Sequence, residues 1–221
     1  MDKAKKLVVF DHHRKSRDHI ENYALTYHDP GASSTSELVT EMMMYMNKGI
    51  KLTKTEAEGL LAGITVDTKN FAFKTGVKTF EAAAYLKRNG ADTISVRRLF
   101  QSSFEDYAAK AEVVKNAKIF NDNMAISVLK KPVENPVVLI AQAADEMLSI
   151  EGIEVSYVLY AAGDNVHISA RSLGKINVQK LMEKLGGGGH QTGAAANLSN
   201  IDIKSAVKLL KETIEEYLKE V

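Results

Sequence analysis

Leu7-Val8-Val9-Phe10-Asp11-His12-His13 is the stretch on which the reading of the fold turns. Four apolar residues run straight into a carboxylate and two imidazoles, the pattern of a core strand with a polar carboxyl end. In α/β sheets, ligands bind beyond the carboxyl ends of the strands. Side chains alternate along a strand, so Asp11 and His13 point one way and His12 the other. A metal site there needs further oxygen or imidazole ligands converging from separate segments. A polar strand end in solvent is the competing reading.

Outward from this strand, Tyr23–His28 reads as a second strand, broken by Pro30-Gly31. The run ASSTSELVTEMMMYMNKG opens with hydroxyl residues suited to capping and predicts a helix to Gly49. Thr53 and Glu56 make a T-x-x-E capping box, followed by Ala57, Leu60, Leu61 and Ile64 on one helical face that ends near Asp67. Helices are expected over Thr79–Asn89 and Thr93–Phe100, and another opens with Ser103 and Asp106 and runs to about Ala117. Past it the rhythm changes. Ala117–Phe120 and Met124–Lys130 flank Asn121-Asp122-Asn123 as a hairpin. A helix follows at Val137–Leu148, then strands at Val155–Tyr160 and Val166–Ser172, and a short helix at Asn177–Lys184 that runs into four glycines. A small-residue helix is expected after His190, and Ile203–Leu218 carries a last helical stripe of Ala206, Val207, Leu210, Ile214 and Leu218. The chain therefore divides within 103–118 into an α/β half and an α+β half.

Composition narrows the function. At 221 residues, 45% hydrophobic and 26% charged, the chain suits one large or two modest domains. Its apolar runs, such as LVVF and GLLAGI, fall far short of a membrane span. The first residues pass from basic side chains into a strand, without the pattern of a signal peptide. Having no cysteine, the chain has no disulfide or thiolate metal site and fits a reducing compartment. A net charge of +1 excludes a global basic field for long duplex nucleic acid, so nucleotide recognition must be local.

Three more segments carry chemistry. Asp67 ends an apolar helix, where the dipole disfavours a negative charge unless a cation sits nearby; a surface loop carboxylate is the alternative. Ser33, Ser34 and Thr35 crowd hydroxyls at a helix start, which suits an anion or simple capping. Gly187, Gly188 and Gly189, within GGGGHQTGAAA (186–196), let backbone amides approach a ligand, with His190 placed to donate; a flexible linker is the alternative. Arg171 and Ser172 end a strand, and Arg171 suits a phosphate or a salt bridge. His167, His19 and the Met42–Met46 cluster read as structural.

FDHHR, DPGASSTSELV, LLAGITVDTKNF, ISARS and GGGGHQTGAA, taken in this order, resemble the DHH/DHHA1 phosphoesterases over nearly the whole chain. The resemblance is strongest to the catalytic region of membrane-anchored bacterial cyclic-di-AMP phosphodiesterases. It implies a truncated DHH domain over 1–103 (a parallel sheet with flanking helices), a linker helix over 104–118, and a smaller α+β DHHA1 domain over 119–221. It implies His12 and Asp67 as metal ligands, usually for two Mn²⁺ ions, with Asp11 and His13 as catalytic orienting groups. Arg171, Ser172, Gly187–Gly189 and His190 would bind substrate, with Ser33, Ser34 and Thr35 near the metals. The implied reaction opens cyclic di-AMP to pApA in the cytoplasm.

The family's upstream H-x-D-x-D-type strand and its further Asp have no counterpart before Asp11. The resemblance thus makes the chain a fragment, expected to bind Mn²⁺ weakly and to form a homodimer through an exposed sheet edge. A nanoRNase or single-strand exonuclease acting on short oligonucleotides shares the same motifs, and a non-catalytic nucleotide-binding module would need only the GGGGH segment.

Overall fold

The computed structural model describes residues 5–13, 20, 22–46 and 51–220. It divides into two units, Met1–Gln101 and Ser102–Val221. His19 and Asn47–Gly49 lie outside the described residues.

The first unit opens with β1 (Val8–Asp11) and β2 (Leu25–His28), paired in parallel with Val8 opposite Leu25 and Asp11 opposite His28. Val8 and Leu25 are exposed, so this small sheet shows apolar surface. Helix α1 (Thr35–Tyr45) starts where Ser34 accepts a hydrogen bond from the Glu37 amide, and ends at Met46. Of the methionine cluster expected in the core, Met42, Met43 and Met44 are half-buried and Met46 is exposed, while Leu38 and Thr40 take the buried positions.

Helix α2 (Lys54–Asp67) begins with the reciprocal box: the Thr53 amide donates to Glu56 Oε2 at 2.8 Å and the Glu56 amide to Thr53 Oγ1 at 3.3 Å. Its Ala57, Leu61 and Ile64 pack with Ala82 and Leu86 of α3 (Val77–Arg88), with Ala91, and with Val96 of α4 (Thr93–Leu99). That cluster fixes the end of α2, and with it Asp67.

The second unit is a sheet of six strands in the order β3-β4-β5-β6-β8-β7. Helix α5 (Phe104–Lys115) is capped by Ser103 and leads into β3 (Lys118–Phe120) and β4 (Met124–Leu129). Asn121 and Asp122 both take left-handed φ between these strands, which Asn and Asp tolerate best after Gly. Helix α6 (Pro136–Met147) crosses over so that β5 (Val155–Ala162) pairs parallel to β4; all other pairs are antiparallel.

Both faces of this sheet are covered. Ala109, Val113, Leu139, Ile140 and Met147 of α5 and α6 pack on Ala125, Leu129 and Val158. Helices α7 (Val178–Lys184) and α8 (Ile203–Glu220) bury Leu181, Met182, Leu210 and Ile214 against Met124, Val155, Tyr157 and Ile168 on the other. Burial on both faces explains why β4 and β5 read as near-continuous apolar runs.

One expectation fails here. The residues after His190 form no helix: β7 (Gly188–His190) turns into β8 (Gly193–Ser199), which pairs with β6 (Asn165–Ser172). Ala194 and Ala196 face inward, 4% and 5% exposed, opposite Ala170 and Ile168. Sheet pairing has overridden the helix preference of alanine, a weak local bias of under about 1 kcal/mol per residue.

Candidate functional site

In the first unit, β1 ends at Asp11, so the expected alternation does not reach His12 and His13, whose rings lie 4.3 Å apart between centroids. Asp11 Oδ1 accepts from the His13 amide at 3.0 Å and lies 2.7 Å from His13 Nδ1. His28, beside Asp11 on β2, puts Nε2 2.5 Å from the His13 carbonyl and ties the two strand ends together. Desolvation pulls the Asp11 carboxyl upward, but the His13 hydrogen bonds and the His13 and His28 charges outweigh it and hold its pKa below the ordinary carboxylate value.

His12 reaches α2. Its Nε2 lies 3.5 Å from Asp67 Oδ2, joining the end of β1 to the end of α2. The imidazole is only 10% exposed, against 39% for the Asp67 side chain. Burial lowers the His12 pKa first, and the His13 charge lowers it further; Asp67 and a hydrogen bond with the Ala32 backbone pull upward, and Lys74 pushes down. The ring is therefore neutral at pH 7, the form that ligates metals. His12 Nδ1 is buried with no hydrogen-bond partner among the described residues.

These two side chains fit a share of one cation's shell. They do not fit a two-ion centre, since divalent Mn or Mg takes roughly six ligands. Among the described residues, no group of three or more His, Cys, Asp or Glu side chains is placed to hold a metal.

The helix-start hydroxyls sit deeper than an anion site suggests. Ser33 and Ser34 are 2% and 0% exposed. Ser33 Oγ donates to Glu37 Oε2 at 2.5 Å, and Ser34 Oγ accepts from the Glu37 amide at 3.0 Å. Thr35, half-buried, is the first residue of α1.

Sequence reasoning missed the turn behind Asp67. Lys69, Asn70 and Phe71 have φ of 47°, 59° and 65°, and Lys74 has 47°. Such a backbone costs about 1–3 kcal/mol per strained residue and persists only when its surroundings impose it. Thr68, fully buried, imposes it. Its Oγ1 donates to the Ile64 carbonyl at 2.6 Å and accepts from the Phe71 amide at 2.9 Å, while its carbonyl accepts from Ala72 and Phe73 at 2.9 and 2.8 Å. Replacing Thr68 by Val keeps the volume and strands the Phe71 amide, while the Ile64 carbonyl keeps the backbone amide of residue 68 at 3.0 Å. Thr68→Val is expected to lower the stability of the first unit by about 1–3 kcal/mol, read as an earlier denaturant midpoint; an unchanged midpoint would remove Thr68 from this role.

In the second unit, Arg171, Gly193 and His190 lie in one row across β6, β8 and β7. Paired residues share a sheet face, so Arg171 and His190 flank a position without a side chain. Arg171 Nε donates to Asp145 Oδ2 at 3.2 Å, and Nη1 donates to Ser169 Oγ at 3.2 Å and the Ala170 carbonyl at 3.0 Å. The salt bridge once set against phosphate binding is thus present on Nε, on the partner Asp145. Ser172 points to the opposite face, is fully buried, and accepts from the Gly174 amide at 2.9 Å.

The glycines are packed rather than open. Gly186, φ 75°, closes α7: its amide donates to Glu183 and that of Gly187 to Met182, a Schellman motif. A Cβ on Gly187 would stand 2.1 Å from the Ala195 carbonyl oxygen, and one on Gly189 2.5 Å from Ala194 Cα. At Gly188 it would meet nothing within 4 Å.

Residues 1–64 match the family model described as the DHH family N-terminal domain, and residues 121–220 match the DHHA1 domain. Over 97% of its length the chain is 48% identical to the cyclic-di-AMP phosphodiesterase GdpP of Geobacillus thermodenitrificans. The chain belongs to the DHH/DHHA1 family. It is also 45% identical, over 99% of its length, to the cyclic-di-AMP phosphodiesterase PdeA of Listeria monocytogenes. This DHH/DHHA1 chain spans about a third of the length of each of these two relatives. Its fold matches the crystal structure of an exopolyphosphatase-related protein from Bacteroides fragilis, with a TM-score of 0.86 and 24% identity over 96% of this chain and 64% of that one. No helix among the described residues is long and apolar enough to cross a membrane.

Proposed function

We propose that this chain is part of the catalytic region of a divalent-cation-dependent phosphodiesterase that opens cyclic di-AMP to linear pApA. The observation that carries the reading is the approach of His12 Nε2 to Asp67 Oδ2, 3.5 Å, at the carboxyl end of a parallel strand. A neutral, nearly buried imidazole facing a carboxylate at the end of a helix, where the dipole repels that charge, is an arrangement that a cation stabilises. Mn²⁺ is the expected ion, and when bound it supplies Lewis-acid polarisation of a phosphoryl oxygen. Asp11 orients His13 and anchors the backbone on either side of His12, a supporting role of the kind that fixes ligand geometry. In the second unit, the Arg171–His190 row offers a guanidinium that lies across Gly193 and whose Nη2 has no partner among the described residues. That row suits a phosphate or base edge.

The experiment is a titration of the chain with Mn²⁺ by calorimetry, followed by incubation with cyclic di-AMP and chromatographic detection of pApA. Two protein ligands predict weak, single-site Mn²⁺ binding with slow turnover that stops on chelation. Tight two-site binding would contradict the ligand set, and Mn²⁺-independent hydrolysis would contradict the reading.

A further inference from the structure

The strained turn after Asp67 builds one wall of a groove of about 690 Å³, within the usual size range of small-ligand sites. Pro30, Gly31, Phe71, Lys74, Thr75 and Phe80 are among the residues that line it. The Phe71 and Phe80 rings lie 5.7 Å apart at 15°, a stacked pair, and Phe80 is 58% exposed although it is a large aromatic. Lys74 makes no ion pair among the described residues, and its charge reaches His12. Flat aromatic surface and one cation occur together in the segment that follows Asp67.

The geometry points to a base-stacking subsite here: the Phe71–Phe80 platform takes a purine, and Lys74 takes the phosphate attached to that nucleoside. This rests on the phosphodiesterase reading and names the part of the substrate that the first unit holds. Base–aromatic stacking needs an exposed ring face and gives affinity without hydrogen-bond readout. Lys74 supplies a point charge for an anionic group. Phe71 lines the groove while packing partly buried against the core of α2 and α3, and Thr68 holds its left-handed backbone, so the backbone strain has a use in positioning the platform.

The test uses the whole chain with ¹³C-labelled phenylalanine rings, titrated with AMP and, separately, with ribose 5-phosphate. AMP is expected to shift the Phe71 and Phe80 ring signals, whereas ribose 5-phosphate leaves them in place. Phe71→Leu should weaken AMP binding about tenfold or more, Phe71→Tyr should keep it, and Lys74→Met should weaken both ligands. Ring signals that ignore AMP, or AMP binding equal in Phe71→Leu and the native chain, would overturn the subsite. Turnover separates it from the reading on which it rests. Ring shifts without hydrolysis of cyclic di-AMP leave the subsite standing and remove the phosphodiesterase. Hydrolysis with an unchanged KM in Phe71→Leu does the reverse.

Discussion

Gly189→Ala is expected to destabilise the second unit by about 3 kcal/mol or more, lowering Tm by roughly 10 °C, while Gly188→Ala changes stability by less than about 0.5 kcal/mol. Two costs add at Gly189. A methyl group there would stand 2.5 Å from Ala194 Cα and 2.6 Å from the Gly193 carbonyl oxygen, all backbone, so the β7–β8 pair must open to admit it. Its φ of 147° is also one that side-chain-bearing residues seldom adopt. Gly187→Ala should resemble Gly189→Ala, because its clash with the Ala195 carbonyl oxygen at 2.1 Å is again with backbone. Thermal melts of the three variants, followed by circular dichroism, check the ranking. Equal melts for Gly188→Ala and Gly189→Ala would mean that the glycines serve something other than strand packing. The contrast also isolates ligand approach. Gly188 has open space around it, so a loss of nucleotide binding in a fully stable Gly188→Ala would assign a contact to that residue alone.

Asp67→Asn should abolish most divalent-dependent hydrolysis, by about 10²-fold or more, while raising rather than lowering the stability of the chain. The carboxylate is the last residue of α2, at the negative end of the dipole, and is 39% exposed. A neutral amide removes that repulsion, a gain of about 0.3–1 kcal/mol where no metal is bound. A carboxylate kept for stability would behave in the opposite way on both counts. His12→Ala should match the loss of turnover, but it also vacates a side chain only 10% exposed and should cost stability. Asp11→Asn removes an orienting contact rather than a ligand, and a loss of about 10–100-fold is expected. Hydrolysis assays paired with urea unfolding measure both axes. Asp67→Asn with native turnover in Mn²⁺ would end the assignment of Asp67 as a ligand.

Local chemistry made most of the elements legible. Ser34, Thr53 and Ser103 each cap a helix in the way their hydroxyls announce, because a cap is settled within three residues of chain. The runs around Val155 and Val166 are strands because no other element buries such residues over so short a span, and the apolar run before Asp11 is also a strand although none of its residues is fully buried. Alternation did not extend to the two histidines: β1 stops at Asp11, and the His12 and His13 rings lie 4.3 Å apart between centroids.

Where the sequence misled, non-local contacts decided. The AAA of β8 would favour helix in isolation, and only β6 and β7 on its two sides hold it extended. The four glycines read as a ligand loop, but strand neighbours approach them too closely for a Cβ at Gly187 and Gly189. Asp145 lies 26 residues from Arg171 with no spacing rule to connect them. The left-handed run Lys69-Asn70-Phe71 exists because Thr68 is buried and spends its hydroxyl and carbonyl on the turn. The chain by itself determined its helix starts, its strands as far as β6 and the polar trio at the end of the first of them, all set by neighbours a few residues away. Tertiary structure alone decided that His12 meets Asp67, that Arg171 and His190 share a row, and that Phe71 faces a groove, since each depends on segments brought together by burial of distant apolar faces.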